Sequence, residues 1–188
     1  MLTEAEKIAI RNSWRLVVPI ADTAADLFYK RLFELRPDYA SLFSNDIAAQ
    51  KRKLVKMLAF VVSSVDYRAS EWREDVPAEQ DLMLVVLALG RRHSELYHIP
   101  DDSYGVVAQA LIWTLDYGLG DAFTPDVRAA WTHLYMLLST TMRMGSLSLA
   151  PDSTSAAALE TVTEPALLSQ LASAGIDEAR LGMEDEPS

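Results

Sequence analysis

Cysteine is absent from this chain of 188 residues, and histidine occurs only three times. Without thiols, the chain cannot form disulfide bonds, thiolate metal sites, a thiol nucleophile or thioether links to a cofactor. Chemistry at a site therefore depends on histidine, carboxylate and hydroxyl side chains. No uncharged apolar run reaches the roughly 18 residues that a membrane helix needs, and charges within Met1 to Lys7 precede any apolar block. We therefore expect a cytoplasmic protein with no membrane span and no secretory signal.

Positive charge is also scarce, because 17 basic residues face 27 acidic ones. Residues 1–150 carry 19 acidic and 16 basic side chains, net −3, whereas 151–188 carry 8 acidic and 1 basic, net −7. A nucleic-acid surface needs clustered Lys and Arg without competing carboxylates, so neither part is expected to bind nucleic acid. The segment after Pro151 is rich in Ser, Thr, Ala and Glu and has too little apolar area to offset the entropy of ordering. It is expected to be largely flexible.

Apolar residues recur at helical spacing along most of the chain, with very little strand signal. Thr3 and Glu6 fit a capping box at the start of the first helix, and Thr124-Pro125 fits the start of the last one. The expected helices, with breaks favoured by Pro19 and Pro37, are 3–18, 24–36, 47–64, 79–96, 103–118 and 125–144. Helices with short connections predict an all-α domain over 1–146. Residues 147–188 are then an acidic tail with one weakly amphipathic segment, 165–181.

The histidines are His93, His98 and His133. A lone histidine on a helix is more often a satisfied surface or core residue than a metal ligand. His93 stands out because it ends an apolar helix directly after Leu89-Gly90-Arg91-Arg92, where the small Gly90 permits a close approach and the arginines suit anionic groups. His133 is expected to be structural. The residues alone leave open whether His93 binds a metal.

Three motifs occur in a distinctive order along the chain. Leu35-Arg36-Pro37 is followed by Leu42-Phe43, then comes Leu89 to His93, and then Gly120 to Pro125 with Trp131 and Tyr135 after it. Together they resemble the globin family, in particular bacterial single-domain globins related to flavohaemoglobins and neuroglobin-like proteins. The resemblance covers about residues 1–146. It implies a globin fold, a helical sandwich around a haem pocket.

The resemblance also implies one b-type haem, with His93 as the proximal iron ligand. A haem iron with one protein ligand needs a neutral nitrogen donor, and the second ring nitrogen then donates to a carbonyl or hydroxyl group. The other residues expected at the haem are Phe43, which packs on its face, Leu54, the propionate partners Lys53 and Arg92, and Tyr104, which supports His93. Flavohaemoglobins add a glutamate to that support, but Ser146 stands where we expect it. Lys53 and Arg92 are equally well explained as solvated charges.

On the gas-binding side, the resemblance places Gln50 and Leu54 on one helix and Phe28-Tyr29 on another. A bound diatomic gas that carries partial negative charge accepts hydrogen bonds, so the Tyr29 hydroxyl and the Gln50 amide are suitable donors. Phe28, Phe43 and Leu54 would keep the pocket dry. The alternative is that Tyr29 fills the core with its hydroxyl tied to the backbone, while Gln50 is solvated.

Three hypotheses of function follow. The first is reversible binding of oxygen and of other gases such as NO and CO. It extends to nitric oxide dioxygenation if an external reductase supplies electrons. The reductase would have to be external because the chain has no Gly-rich dinucleotide motif. The second is a haem-based gas or redox sensor that signals through a partner protein. The third is an interaction protein without haem, which His93, Tyr29 and Gln50 argue against. The sequence assigns no role to His98 or to an insertion over 66–81, and predicts no oligomeric state.

Overall fold

The computed structural model describes residues 1–43, 46–65, 82–97 and 103–147. Within these ranges the regular elements are helices, and none is a strand. The α-helices are α1 (Glu4–Val17), α2 (Ala21–Leu35), α3 (Ile47–Ser63), α4 (Leu82–Tyr97), α5 (Ser103–Leu119) and α6 (Pro125–Leu147). Short 3₁₀ turns cover Val18–Ile20, Pro37–Phe43 and Gly120–Ala122. The predicted all-α fold is confirmed.

Helix α1 begins at the predicted capping box. The Thr3 hydroxyl accepts from the backbone N–H of Glu6 at 3.2 Å, and the Glu6 carboxylate accepts from the backbone N–H of Thr3 at 2.7 Å. The helix ends where Pro19 occupies the start of a 3₁₀ turn, because a proline there gives up no helical hydrogen bond. The predicted break is therefore one short turn, and α2 begins at Ala21.

The connection between α5 and α6 also follows its local sequence. Gly120 has a φ of 52°, in the left-handed region that glycine enters without a steric cost, and it ends α5. The Thr124 hydroxyl then accepts from the backbone N–H of Val127 at 3.3 Å, and Pro125 is the first residue of α6. The start at Thr124-Pro125 was predicted. Helix α6 runs to Leu147, three residues beyond the predicted end at Met144.

The core lies between α1, α2, α3, α5 and α6 and contains two buried tryptophans. Trp14 and Trp131 are 2 % and 1 % exposed, and their ring centroids lie 6.3 Å apart. The indole N–H of Trp131 donates to the Ser13 hydroxyl at 2.9 Å, which satisfies a buried polar group across the interface of α1 and α6. Ile10 is fully buried beside them. This core holds the two ends of the described chain together.

Helices α4 and α6 form the most extensively packed pair of elements. Two buried glycines lie at their crossing, Gly90 on α4 and Gly145 on α6. A Cβ built on Gly90 would collide with the backbone of Met142, and one on Gly145 would collide with the backbone of Leu87. The close approach expected at Gly90 is therefore an approach of helix backbone to helix backbone.

Several sequence expectations lie outside the described residues. These are the role of His98, the insertion over 66–81, the first residues of the helix predicted at 79–96, and the tail after Leu147 with its segment at 165–181. The division into a domain over 1–146 and a tail over 147–188 stays a prediction. Among the helices that are described, none is long and apolar enough to cross a membrane.

Candidate functional site

His93 lies near the end of α4 and is half-buried. Its Nδ1 lies 2.8 Å from the backbone oxygen of Leu89, one turn earlier in the same helix. A carbonyl oxygen can only accept, so Nδ1 carries the hydrogen and donates it. In a neutral imidazole this places the lone pair on Nε2. The ring is thereby held in the tautomer that a metal ligand bound through Nε2 requires.

The surroundings of His93 also favour its neutral form. Burial lowers the pKa of His93 below its usual value, the hydrogen bond to the Leu89 carbonyl opposes that change, and the positive charge of Arg92 lowers the pKa further. Ligation of a metal requires an unprotonated ring nitrogen. The environment of His93 thus agrees with the tautomer that its hydrogen bond selects.

Tyr29 on α2 lies beside Gln50 on α3. The Tyr29 hydroxyl donates to the backbone oxygen of Gln50 at 3.3 Å, which is long for an O–H···O bond, whose usual length is about 2.7 to 2.8 Å. Burial raises the pKa of Tyr29 to about 12, so the hydroxyl keeps its proton at neutral pH. In this structure the hydroxyl is therefore a donor tied to the backbone, as the alternative interpretation expected. Its contact with a gas stays a prediction.

An aromatic cluster surrounds Tyr29. Its ring centroid lies 5.1 Å from that of Phe28 and 5.4 Å from that of Phe43, both in edge-to-face arrangements, and 5.9 Å from that of Phe33. Phe28 is 5 % exposed and Phe43 is half-buried. Sequence reasoning missed Phe33, although its position four residues after Tyr29 on a helix placed both on one face. Phe28, Phe33 and Phe43 thus pack around Tyr29, and the lining of a gas pocket by Phe28, Phe43 and Leu54 stays a prediction.

Three further residues predicted at the haem differ in how far they are buried. Leu54 is half-buried and packs against the core, whereas Lys53 and Arg92 are exposed. Exposure suits both a propionate partner and a solvated charge, so it does not decide between the two interpretations. The roles of Lys53 and Arg92 stay predictions.

Tyr104, at the start of α5, packs against α6. The guanidinium carbon of Arg143 lies 5.0 Å from the centroid of its ring, and its backbone oxygen accepts from the Tyr135 hydroxyl at 2.7 Å. The Ser146 hydroxyl donates to the backbone oxygen of Arg143 at 2.8 Å. Sequence reasoning did not identify Arg143, and helical spacing gave no signal for it. Support of His93 by Tyr104 stays a prediction.

His133 on α6 meets α1 and is in a different environment from His93. Its Nδ1 lies 2.8 Å from a carboxylate oxygen of Glu6 on α1. The backbone N–H of Thr3 and this imidazole hold the pKa of Glu6 down at about 2. An open depression of about 600 Å³ beside His133 is lined by Phe123, Arg128 and Met136. Arg128 there is paired with Asp116 at 2.9 Å, so the polar groups of this depression already have protein partners.

Comparison with known proteins decides the family. The sequence model of the family described as Globin matches residues 26–142, which is more than half of the chain. The chain belongs to the globin family. This globin is 28 % identical to the neuroglobins of Chaenocephalus aceratus and Dissostichus mawsoni and 26 % identical to that of Tetraodon nigroviridis. Each comparison spans 151 residues and covers 77 % of this chain and 92 % of the relative.

Membership of the globin family supports binding of haem and of a diatomic gas. The residues present fit a haem. His93 has the tautomer and the lowered pKa of a neutral nitrogen ligand, and Tyr29, Phe28 and Phe43 form an apolar wall with one hydroxyl donor. Within the described ranges, no cluster of three or more His, Asp or Glu side chains offers a separate metal site.

Proposed function

We propose that this globin holds one b-type haem through Nε2 of His93 and reversibly binds oxygen and other diatomic gases, including CO and NO. The observation that carries the proposal is the hydrogen bond from Nδ1 of His93 to the Leu89 carbonyl, which leaves the lone pair on Nε2. When bound, the haem iron supplies the open coordination position that a gas occupies. Phe43 and Leu54 would contact the porphyrin, Tyr104 would support His93, and Lys53 and Arg92 would meet the propionates.

On the gas side, we assign the donor role to Tyr29, with Gln50 as second donor and Phe28 and Leu54 as apolar contacts. The support is the position of Tyr29 inside a cluster of aromatic rings, where a hydroxyl has few competing water molecules. To act on a gas, the hydroxyl must exchange its 3.3 Å bond to the Gln50 backbone for one to the gas. That bond is long, and breaking it costs little.

The test of haem ligation compares the two histidines of the described residues. The purified protein should show a Soret absorption band. His93→Ala should lose stable haem, and added imidazole should restore it, because imidazole supplies the missing nitrogen donor. His133→Ala should keep the band, since His133 is paired with Glu6. A wild-type protein without a Soret band refutes the proposed function, and equal loss in both variants refutes the assignment to His93.

The ferrous protein without gas is expected to be mainly five-coordinate. Glutamine is a much poorer iron ligand than histidine, so Gln50 should leave the gas position open. Optical and resonance Raman spectra of the ferrous protein measure this directly. A low-spin, six-coordinate spectrum would contradict the expectation and would point to an internal ligand such as His98.

A finer proposal is nitric oxide dioxygenation, in which one NO combines with one O₂ and one electron to give nitrate. Its support is the pair of Tyr29 and Gln50, which resembles the donors of flavohaemoglobins, so we also propose a relation to those bacterial proteins. A reductase acting in trans would supply the electron. Oxygen-dependent loss of NO with equal formation of nitrate, only when a reductase and NADH are added, is the expected result. No turnover under these conditions would favour the alternative of a haem-based sensor with a partner protein.

A further inference from the structure

Gly90 and Gly145 make reciprocal contacts at the crossing of α4 and α6. A Cβ on Gly90 would lie far inside 3.0 Å of the Met142 carbonyl oxygen, and a Cβ on Gly145 would do the same at the Leu87 carbonyl oxygen. Both glycines are buried. Because the atoms in the way belong to helix backbones, no change of side-chain rotamer makes room for a methyl group. Only a shift of one helix against the other does.

The contact lies next to the residues that orient His93. Gly90 directly follows Leu89, whose carbonyl oxygen accepts from Nδ1 of His93 at 2.8 Å. Leu87, the backbone partner of Gly145, lies within the same two turns of α4. A shift of α4 away from α6 would therefore move both the imidazole and the carbonyl that fixes its tautomer. The position of His93 depends on how closely these two backbones approach.

We propose that Gly90 and Gly145 are positioning residues for the iron ligand: their missing side chains set the distance of α4 from α6 and thereby the geometry of the bond between His93 and the haem. This role rests on the proposed haem ligation by His93. The two glycines need not touch the haem, because they act through the backbone of α4. Groups that orient a metal ligand commonly change metal affinity by about ten- to a hundredfold when they are altered.

The test compares Gly90→Ala and Gly145→Ala with Gly105→Ala. Gly105 is an exposed position of α5 where an added Cβ meets no atom within 4 Å, so it controls for the general effect of alanine in a helix. In ferrous protein without gas, the iron–histidine stretching band measured by resonance Raman should shift in Gly90→Ala and in the same direction in Gly145→Ala. The haem dissociation rate should rise about tenfold in both variants. Gly105→Ala should match the wild type.

The double variant provides a second readout that a general loss of stability would not reproduce. Once one methyl group has separated the helices, the second methyl group has less to displace. The band shift of the double variant should therefore be smaller than the sum of the shifts of the two single variants. Gly145 lies in the last turn of α6, where the end of the helix can shift to accommodate a methyl group. If Gly90→Ala does not fold, Gly145→Ala therefore decides the outcome. Lower stability with an unshifted band and an unchanged haem dissociation rate would overturn the positioning role. Absence of the band in the wild type would instead refute the proposed function.

Discussion

The two histidines of the described structure have hydrogen bonds of equal length to different kinds of partner. Nδ1 of His93 lies 2.8 Å from a backbone carbonyl of its own helix, and Nδ1 of His133 lies 2.8 Å from the Glu6 carboxylate of another helix. The carbonyl within α4 fixes the tautomer and the orientation of the His93 ring, whereas the carboxylate on α1 joins the His133 ring to a second helix. The first arrangement suits a metal ligand, and the second ties α6 to α1.

The same difference extends to the surroundings of each histidine. At Gln50 and Tyr104, two residues predicted at the gas or the haem, the backbone carbonyls accept from the Tyr29 and Tyr135 hydroxyls. Across α1 and α6, the polar partners are side chains, as in the pair of Trp131 and Ser13. A side chain that donates to a backbone carbonyl can change its partner, because no other side chain is then left unpaired. A bond between two side chains depends on both of them, so replacing either one leaves the other without its partner.

The largest expected effect concerns Tyr29 on the gas side of the site. Tyr29→Phe should raise the oxygen dissociation rate by roughly ten- to a hundredfold, at about 1.4 kcal/mol per factor of ten, because a partly charged gas loses a donor. Carbon monoxide, which carries much less charge, should dissociate at nearly the wild-type rate. Stopped-flow or flash photolysis measures both rates, and Gln50→Leu should show a smaller effect in the same direction.

Tyr135→Phe is the matched control for Tyr29→Phe. Its hydroxyl donates to the Tyr104 carbonyl at 2.7 Å, so its removal should lower the free energy of unfolding by about 1 kcal/mol and leave oxygen dissociation unchanged. The longer 3.3 Å bond of Tyr29 should contribute less to stability. An unchanged oxygen dissociation rate in Tyr29→Phe would mean that the hydroxyl stays on the Gln50 backbone. The case for nitric oxide dioxygenation would then weaken.

The next prediction tests the other region, where side chains hold α1 and α6 together. Ser13→Ala removes the acceptor of the buried Trp131 indole N–H, so the free energy of unfolding should fall by about 1 to 2 kcal/mol, with no change in the Soret band. Ser139→Ala is the control, because Ser139 also bonds a carbonyl of its own helix, that of Met136, without a tryptophan partner. Urea unfolding measures both. Equal losses would show that the indole bond contributes nothing specific.

The sequence was sufficient to predict the helices because their ends carry local signals. The capping box at Thr3 and the pair Thr124-Pro125 were both found in place, since each depends on residues within one turn. The end of α6 was predicted three residues early, because no glycine or proline stands at Leu147 to stop the helix. The start of α2 at Ala21 was likewise missed by three residues, because Ile20 before it provides no side-chain cap. Local chemistry predicts a helix end only where a signal stands.

The resemblance predicted candidate residues for the site but not their hydrogen-bond partners. The resemblance to globins placed Tyr29 and Gln50 at one site, but only the packing of α2 on α3 determines that the Tyr29 hydroxyl meets the Gln50 backbone rather than its amide. Gly90 was expected to allow a close approach, yet its neighbour Met142 lies 52 residues away on another helix. Contacts between distant segments depend on helix packing, which the local pattern does not specify.

The smallest expected effect is a pH dependence at the pair of Glu6 and His133. The backbone N–H of Thr3 and the His133 imidazole lower the pKa of Glu6 from 4.5 to about 2, and these bonds exist only in the folded protein. A carboxylate with a lowered folded pKa stabilises the fold above its unfolded pKa, and this contribution disappears as the pH falls from about 4.5 towards 2. Glu6→Gln should therefore lower the free energy of unfolding by about 0.5 to 1 kcal/mol at pH 6, and by much less near pH 2.

Glu4→Gln is the control for Glu6→Gln, because Glu4 lies in the same first turn of α1 but pairs with Lys7 at 2.8 Å instead of capping the helix or meeting His133. Both variants remove one charge near the same helix end and so share the loss of the helix-dipole interaction, while Glu4→Gln also loses the pair with Lys7. Urea unfolding across this pH range should show a larger pH-dependent loss in Glu6→Gln. Identical pH profiles for the two variants would mean that the Glu6 carboxylate does not join α1 to α6. The proposed difference between the partners of His93 and His133 would then not hold.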